Sequence, residues 1–379
     1  MFSTKIDIIP KTTIFALLYD NNLLNSDMIT NEMIFFGSFL GFVLMMLIID
    51  LGVFSKKSHT VSFKEAGIWS GVWVSFALIF TYIIYTHGDL IHGITNFEQL
   101  KLAVSKFDPD NMAKLDATNF ENSLLDYRKN MALEFLNGYL LEYALSVDNI
   151  FVIILIFASF KVDSQFYKKI LFWGILGAIV MRFIFIFVGA TLIHNFHWIL
   201  YLFGAFLVFT GVKMFFTNDE EEDIDPNNHK IVKFVSKYFS IYPKNSGDSF
   251  FVKENGILYL TPLFIVVLIV EFTDLIFAVD SVPAVFSVTT DPYIVFFSNI
   301  FAILGLRSMF FFLANIMHIF HYLKTGLSFL LVYIGGKMFI PHDTLAQIGF
   351  KTEYSLIVIL LILGISIGAS VIFPKKEEI

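Results

Sequence analysis

Nine mainly apolar stretches alternate with polar segments along the chain, at about 32–54, 67–86, 131–160, 168–193, 197–216, 256–286, 292–317, 322–340 and 354–373. A helix needs about 20 such residues to cross the hydrocarbon core of a bilayer. The pattern therefore predicts an all-α polytopic membrane protein of about nine transmembrane helices. It divides the chain into an N-terminal extracytoplasmic segment 1–31, two peripheral helices within 32–86, a polar extracytoplasmic loop 87–130, three helices within 131–216, an acidic cytoplasmic loop 217–255, three more helices within 256–340, and 341–379, which holds the last helix and a short cytoplasmic tail. Residues 1–31 lack the charged start, apolar run and small-residue cleavage site of a signal peptide. The first apolar stretch is expected to serve as its own insertion signal.

Composition sharpens this reading. The chain has 379 residues, 56% of them hydrophobic, a mean hydropathy of +0.73 and only 16% charged residues, against about 25% in soluble domains. A soluble enzyme is excluded, because too little polar surface is available to cover a core. The net charge of −7 and the lack of a basic stripe argue against nucleic acid as a partner. There are no cysteines, so disulfides, thiolate metal sites and thiol redox chemistry are excluded. With the N-terminus outside, the inward loops carry 14 lysines against 8 Lys and Arg outward. That bias favours N-outside and C-inside.

The chain also resembles itself. Glu142-Tyr-Ala-Leu-Ser-Val-Asp148-Asn149 parallels Asp274-Leu-Ile-Phe-Ala-Val-Asp280-Ser281, 132 residues later. Arg182 matches Arg307 at an offset of 125, and Gly211-Val-Lys213-Met-Phe matches Gly335-Gly-Lys337-Met-Phe at 124. His194-Asn-Phe-His197 and His318-Ile-Phe-His321 form a further pair at 124. Each copy holds three spans, and an odd number inverts the second copy. The expectation is an inverted-topology repeat of three helices plus three helices, an arrangement that places substrate near the bilayer midplane between the copies.

Ionisable residues inside a membrane are expensive, about 2.5–3.5 kcal/mol each on insertion scales. Here Glu142, Asp148, Glu271, Asp274 and Asp280 fall at repeat-related places. With the Asn149 amide and the Ser146 and Ser281 hydroxyls they form an all-oxygen donor set, suited to Mn²⁺, Mg²⁺ or Ca²⁺. Asp50 and Glu134 are secondary or pathway candidates, and Arg182, Arg307, Lys213 and Lys337 are the expected charge-pairing partners. On an unbroken helix Glu142 and Asp148 would sit about 120° apart, and Glu271 and Asp280 would face opposite ways. Pro283 follows closely. Unwinding around 146–149 and 278–283 is therefore expected, to bring the carboxylates together. The His pairs lie at span ends and read as interfacial. The acidic run 219–225 reads as a solvated loop. No Walker A, His-Glu-x-x-His or Gly-x-Ser-x-Gly sequence occurs, so neither an enzyme nor a permanently bound cofactor is expected.

The segments from Glu142 to Val152 and from Glu271 to Ala284 resemble the two signatures of the TerC/Alx family. So do 62–66, 172–177 with Met181 and Arg182, and 298–308. The resemblance implies a multi-pass protein of the bacterial inner membrane, in a superfamily of cation and amino-acid exporters whose members are linked to tellurium resistance and to manganese export. It implies that the intramembrane acids are the functional residues. Two functions follow as expectations. One is a secondary transporter exporting Mn²⁺ by alternating access and proton antiport. The other is a tellurite-resistance scaffold, without transport of its own, that supports metalation of exported proteins through loops 87–130 and 217–255.

Overall fold

Apolar length along the chain becomes helix length in space. The computed structural model describes residues 26–55, 62–108, 112, 115–196, 198–216, 230–242, 247–254, 256–316, 322–340 and 352–373. In order, these form α1 (Ser26–Ser55), α2 (Phe63–His87), α3 (Phe97–Phe107), α4 (Phe120–Ser159), α5 (Tyr167–Asn195), α6 (Ile199–Phe216), α7 (Lys230–Tyr238), β1 (Phe251–Glu254), β2 (Ile257–Leu260), α8 (Pro262–Phe286), α9 (Pro292–Leu304), α10 (Leu306–Ile316), α11 (Leu323–Met338) and α12 (Thr352–Ile372). Among the described residues, seven helices are long and apolar enough to cross a membrane. The pair α9–α10, bent by 46°, makes an eighth if taken as one span. The remaining expected span, 322–340, forms α11, whose 16 residues reach about 24 Å, short of the ~30 Å hydrocarbon core.

Local chemistry sets the helix ends. Ser62 caps α2 by accepting from the Glu65 amide at 3.3 Å, with Glu65 at the third position as in a capping box. Thr261 caps α8 and Asp291 caps α9, each followed by a proline at the first helical position, where its missing amide costs nothing. Asn119 starts α4 eleven residues before the expected span. At 40 residues, α4 is about 60 Å long, twice the hydrocarbon thickness. Its first turns leave the membrane and join α3 in the polar segment after α2. The strands β1 and β2 form an antiparallel hairpin, Phe251 opposite Leu260, that leads into α8. The acidic run 219–225 lies outside the described residues, as do His197, His318 and His321.

α9 is buried along all 13 residues, as expected of a helix that is apolar on every side. It sits among α2, α4, α5 and α8. Phenylalanines fill the space around it: Phe39 lies 4.3 Å from Phe297 and Phe80 4.8 Å from Phe301, centroid to centroid. Leu44, Ile48, Phe209, Leu361 and Ile365 are exposed on the outer helices, the pattern of a lipid-facing surface.

The α6–α11 seam bears on the repeat. A Cβ at Gly204 would lie 2.9 Å from the Gly335 carbonyl, and one at Gly335 2.6 Å from the Gly204 carbonyl. One at Gly211 would lie 2.7 Å from the Ser328 carbonyl and 2.9 Å from Val332, while Gly335 meets Val208 at the same 2.9 Å. Adding 124 turns 204 into 328, 208 into 332 and 211 into 335. Each contact therefore maps onto its partner, the self-complementarity a two-fold axis produces. The seam runs antiparallel, 204 beside 335 and 211 beside 328, so a two-fold axis relating the two helices would stand perpendicular to both. Around it, α4 packs on α9 and α10 while α5 packs on α8.

The expected unwinding does not occur. α4 is helical through 146–149 and α8 through 278–283. Pro283 lies three residues from the end of α8, where losing one amide costs a single helical bond. Continuity alters which residues share a face.

Candidate functional site

On a continuous α4, Glu142, Ser146 and Asn149 lie within about 60° of one another. All three are buried, Glu142 and Ser146 completely. On α8, Glu271, Asp274, Ala278 and Ser281 lie within about 80°. Under the 132-residue offset, Glu142 corresponds to Asp274, Ser146 to Ala278 and Asn149 to Ser281. Each repeat thus presents the same stripe, with a carboxylate at one end and a small polar group two turns on.

The two stripes meet around Arg182. This α5 residue is fully buried. Its Nη1 ion-pairs with Glu142 and donates to the Asn299 side-chain carbonyl on α9. Asn299, also fully buried, is held by donating from Nδ2 to the Val295 carbonyl at 2.8 Å. Asp274 is close enough to act on the charge of both Glu142 and Arg182. Ser281 lies beside Glu142 but outside hydrogen-bond geometry. Glu271 is within electrostatic reach of Asp274. Its carboxylate packs into the notch left by Gly177 on α5, where any Cβ would collide with it.

Several buried polar atoms here have no hydrogen-bond partner in the protein: Glu142 Oε2, Asp274 Oδ2, Ser146 Oγ, Asn149 Nδ2, Ser281 Oγ, and Arg182 Nε and Nη2. The large majority of buried side-chain polar atoms are hydrogen-bonded, so this concentration marks a candidate binding site. Arg182 offers one positive charge against the carboxylates of Glu142, Asp274 and Glu271. Among the described residues no three His, Cys, Asp or Glu side chains stand close enough to hold a metal ion together.

The remaining expected residues fall elsewhere. Asp148 is half-buried on α4, about 120° from the Glu142 stripe. The side chains of Asp280 and Asp50 lie outside what is described. Arg307 is buried on α10, and Lys213 is exposed on α6. Lys337 is half-buried on α11 and donates to Ser355 Oγ on α12 at 3.1 Å. Glu134, buried on α4, accepts from Asn130 at 2.7 Å, and Asn130 also donates to Asp108 at 2.9 Å. Asn299 lies in the 298–308 segment that carries the family resemblance, but it is not among the expected site residues. Its one signal is an amide inside an apolar span.

Comparison with known proteins places this arrangement in context. The model of the integral membrane protein TerC family matches residues 127–378, which include every residue of both stripes. An uncharacterised membrane protein of Myxococcus xanthus is 42% identical over 336 residues, covering 89% of this chain and 91% of its own length. A protein of Escherichia coli strain K12, described as a candidate membrane-bound redox modulator named Alx, is 41% identical over 310 residues, covering 80% of this chain and 85% of its own. An uncharacterised membrane protein of Rickettsia bellii is 38% identical over 331 residues, 87% of this chain and 94% of its own. No solved structure matches.

Proposed function

The chain belongs to the integral membrane protein TerC family, and on that footing we propose that it is a secondary transporter that exports a divalent cation, Mn²⁺, across the bacterial inner membrane in exchange for protons. The observation that carries the reading is the charge balance at the stripes. Two carboxylates, Glu142 and Asp274, interact with one buried guanidinium, Arg182, and a third, Glu271, lies within electrostatic reach of Asp274. If all ionise, the site holds two uncompensated negative charges, which a membrane interior does not tolerate. One divalent cation neutralises them, and so do two protons. Two ligands that satisfy the same deficit are mutually exclusive, which is the minimum chemistry of antiport.

The donor set supports a hard or borderline cation. It consists of carboxylate, amide and hydroxyl oxygens with no sulfur, suited to Mn²⁺, Mg²⁺ and Ca²⁺. The reciprocal α6–α11 seam supports two inverted halves, the architecture in which a midplane site is opened to either side in turn. Orientation follows the Lys and Arg bias, N-terminus outside.

A redox role of the kind named for the Alx relatives would here run through metal supply, because the sequence has no cysteine for thiol exchange. Purified protein in liposomes decides the matter, with a Mn²⁺ dye and a pH dye inside. A transporter moves Mn²⁺ one way and protons the other, and Glu142→Gln abolishes both fluxes. Folded wild-type protein that moves neither overturns the reading and leaves a scaffold in its place.

A further inference from the structure

A second group of buried titratable side chains lies far from the stripes, where the segment after α2 covers the ends of both repeats. His92 is fully buried. Its Nδ1 lies 2.6 Å from the Tyr127 hydroxyl on α4, and its Nε2 lies 3.3 Å from Asp291 Oδ2 at the α8–α9 junction. The ring stacks on Phe107 at 4.4 Å and meets Tyr293 edge-on at 5.6 Å. The junction is also tied to α3, because Thr290 Oγ1 donates to the Phe107 carbonyl at 3.0 Å. Asp291 Oδ1 accepts from the Tyr293 amide at 2.9 Å and so caps α9. Arg128 on α4 pairs with Asp89 at 2.7 Å, fixing the turn that carries His92.

One imidazole therefore bridges α4, the first helix of one repeat, and the junction between the first two helices of the other. We propose that His92 is a proton-binding latch, whose protonation clamps these two helix ends together and whose deprotonation lets them part. A carboxylate without its proton can only accept, so the tautomer that suits Asp291 has its hydrogen on Nε2, which lies 3.3 Å from Oδ2 but outside hydrogen-bond geometry; in that neutral ring Nδ1 accepts from the Tyr127 hydroxyl. Protonation adds the hydrogen to Nδ1. The Tyr127 contact reverses its direction, and the Asp291 carboxylate then faces a full positive charge instead of a neutral ring, which adds Coulomb attraction to the contact.

The surrounding charges fit this role. Burial disfavours the imidazolium, but Asp291 and, more distantly, Glu32 on α1 favour it and prevail over Lys106 at the end of α3, so the His92 pKa stands above its ordinary value. Tyr127 faces it from α4. Glu134 on α4 is within electrostatic reach of both Tyr127 and Asp291, while Asp89 and Asp108 in the covering segment are bonded to Arg128 and Asn130. Imidazole is the side chain whose ordinary titration lies nearest physiological pH. The inference takes from the transport reading only that the repeats move against each other, whatever they carry.

The test uses the full chain in nanodiscs without added metal. With no native cysteine, cysteines introduced at Asp126 on α4 and Ser287 at the end of α8 are the only sites a spin label can take. Distances between them are measured from about pH 5 to about pH 9, a span that brackets imidazole titration. In the wild-type background one short distance is expected at acid pH, with a longer population growing several-fold as pH rises. His92→Gln should remove that pH dependence. Where His92→Gln fails to fold, Asp291→Asn, which keeps a capping side chain on α9, carries the same test. A wild-type distance that ignores pH, or a variant that titrates like wild type, overturns the latch. Because no metal is present, a failed flux assay leaves this result standing, and a failed latch leaves the flux result standing.

Discussion

Arg182→Ala is the most informative single substitution. It removes a guanidinium that is fully buried together with both of its partners, the Glu142 carboxylate and the Asn299 amide. Neither partner can turn to water. Breaking a buried ion pair from one side costs about 3–5 kcal/mol, because the remaining charge stays desolvated. For a chain of 379 residues roughly 1.3 °C of melting temperature accompanies each kcal/mol, so a fall on the order of 4–6 °C is expected. The assay is thermal unfolding of the full chain in detergent, with monodispersity followed in parallel. Glu142→Gln/Arg182→Ala removes both charges and should recover much of the loss, a coupling that appears only between residues in contact. Mn²⁺ at 100 times its Kd should return about 2.7 kcal/mol if it binds only the folded protein. An Arg182→Ala protein as stable as wild type would refute the pairing argument. If that protein also kept its Mn²⁺ response but lost protection against tellurite, the arginine would belong to an anion site and the cation reading would fail with it.

Three further outcomes follow. Gly335→Ala drives a Cβ to 2.6 Å from the Gly204 carbonyl, whereas Gly336→Ala meets nothing within 4 Å; the first should cost about 1–3 kcal/mol and the second lie within about 0.5 kcal/mol of wild type, as read by melting temperature. Gly177→Ala displaces the Glu271 carboxylate from its notch, so Mn²⁺ affinity by titration calorimetry should fall about tenfold, or 1.4 kcal/mol, with the melting temperature nearly unchanged. His92 has a raised folded-state pKa, so its contribution is complete below the ordinary value of about 6.5 and is lost as pH rises through the folded-state value; the melting-temperature gap between wild type and His92→Gln should therefore be widest in acid and close in base.

Much of this architecture was legible because membrane insertion is a property of composition over length. Runs such as 168–193 and 354–373 can do little except span. The caps went unread: Ser62 with Glu65, and Thr261 or Asp291 before a proline, satisfy helix ends through neighbours in sequence, but hydropathy patterning does not register them. The first turns of α4 were not legible. Glu121, Asp126, Arg128 and Lys129 read as loop residues, yet a helix that leaves the membrane keeps its hydrogen bonds and merely changes solvent. The expected unwinding at 146–149 rested on the angle between Glu142 and Asp148. The intact helix instead aligns Glu142 with Ser146 and Asn149, at spacings of four and three, a pattern hidden because two of the three residues are uncharged. Partner choice is written nowhere locally. Arg182 is 40 residues from Glu142 and 117 from Asn299, and His92 is 199 from Asp291, so only the packing of α4, α5 and α9 reveals these contacts.

That packing also bears on how a site with unspent polar groups can work. The stripes on α4 and α8 face a common interior, but no three acids among the described residues converge on one point. In the transport reading this is the expected character of a state between binding events: a permanently assembled cage would hold its ion rather than pass it on. Assembly then requires α4 and α8 to shift relative to each other. The seam best suited to allow this is α6 against α11, where Gly204, Gly211 and Gly335 bring backbone against backbone. In that reading, rotation about a two-fold axis at the seam slides Val208 over Gly335 and Val332 over Gly211 and moves Glu142 and Asp274 by equivalent amounts, so the small residues at these three positions set how freely it turns. Bulk added to the seam should therefore slow flux by more than it weakens Mn²⁺ binding. Gly336→Ala, one residue away and in open space, should change neither.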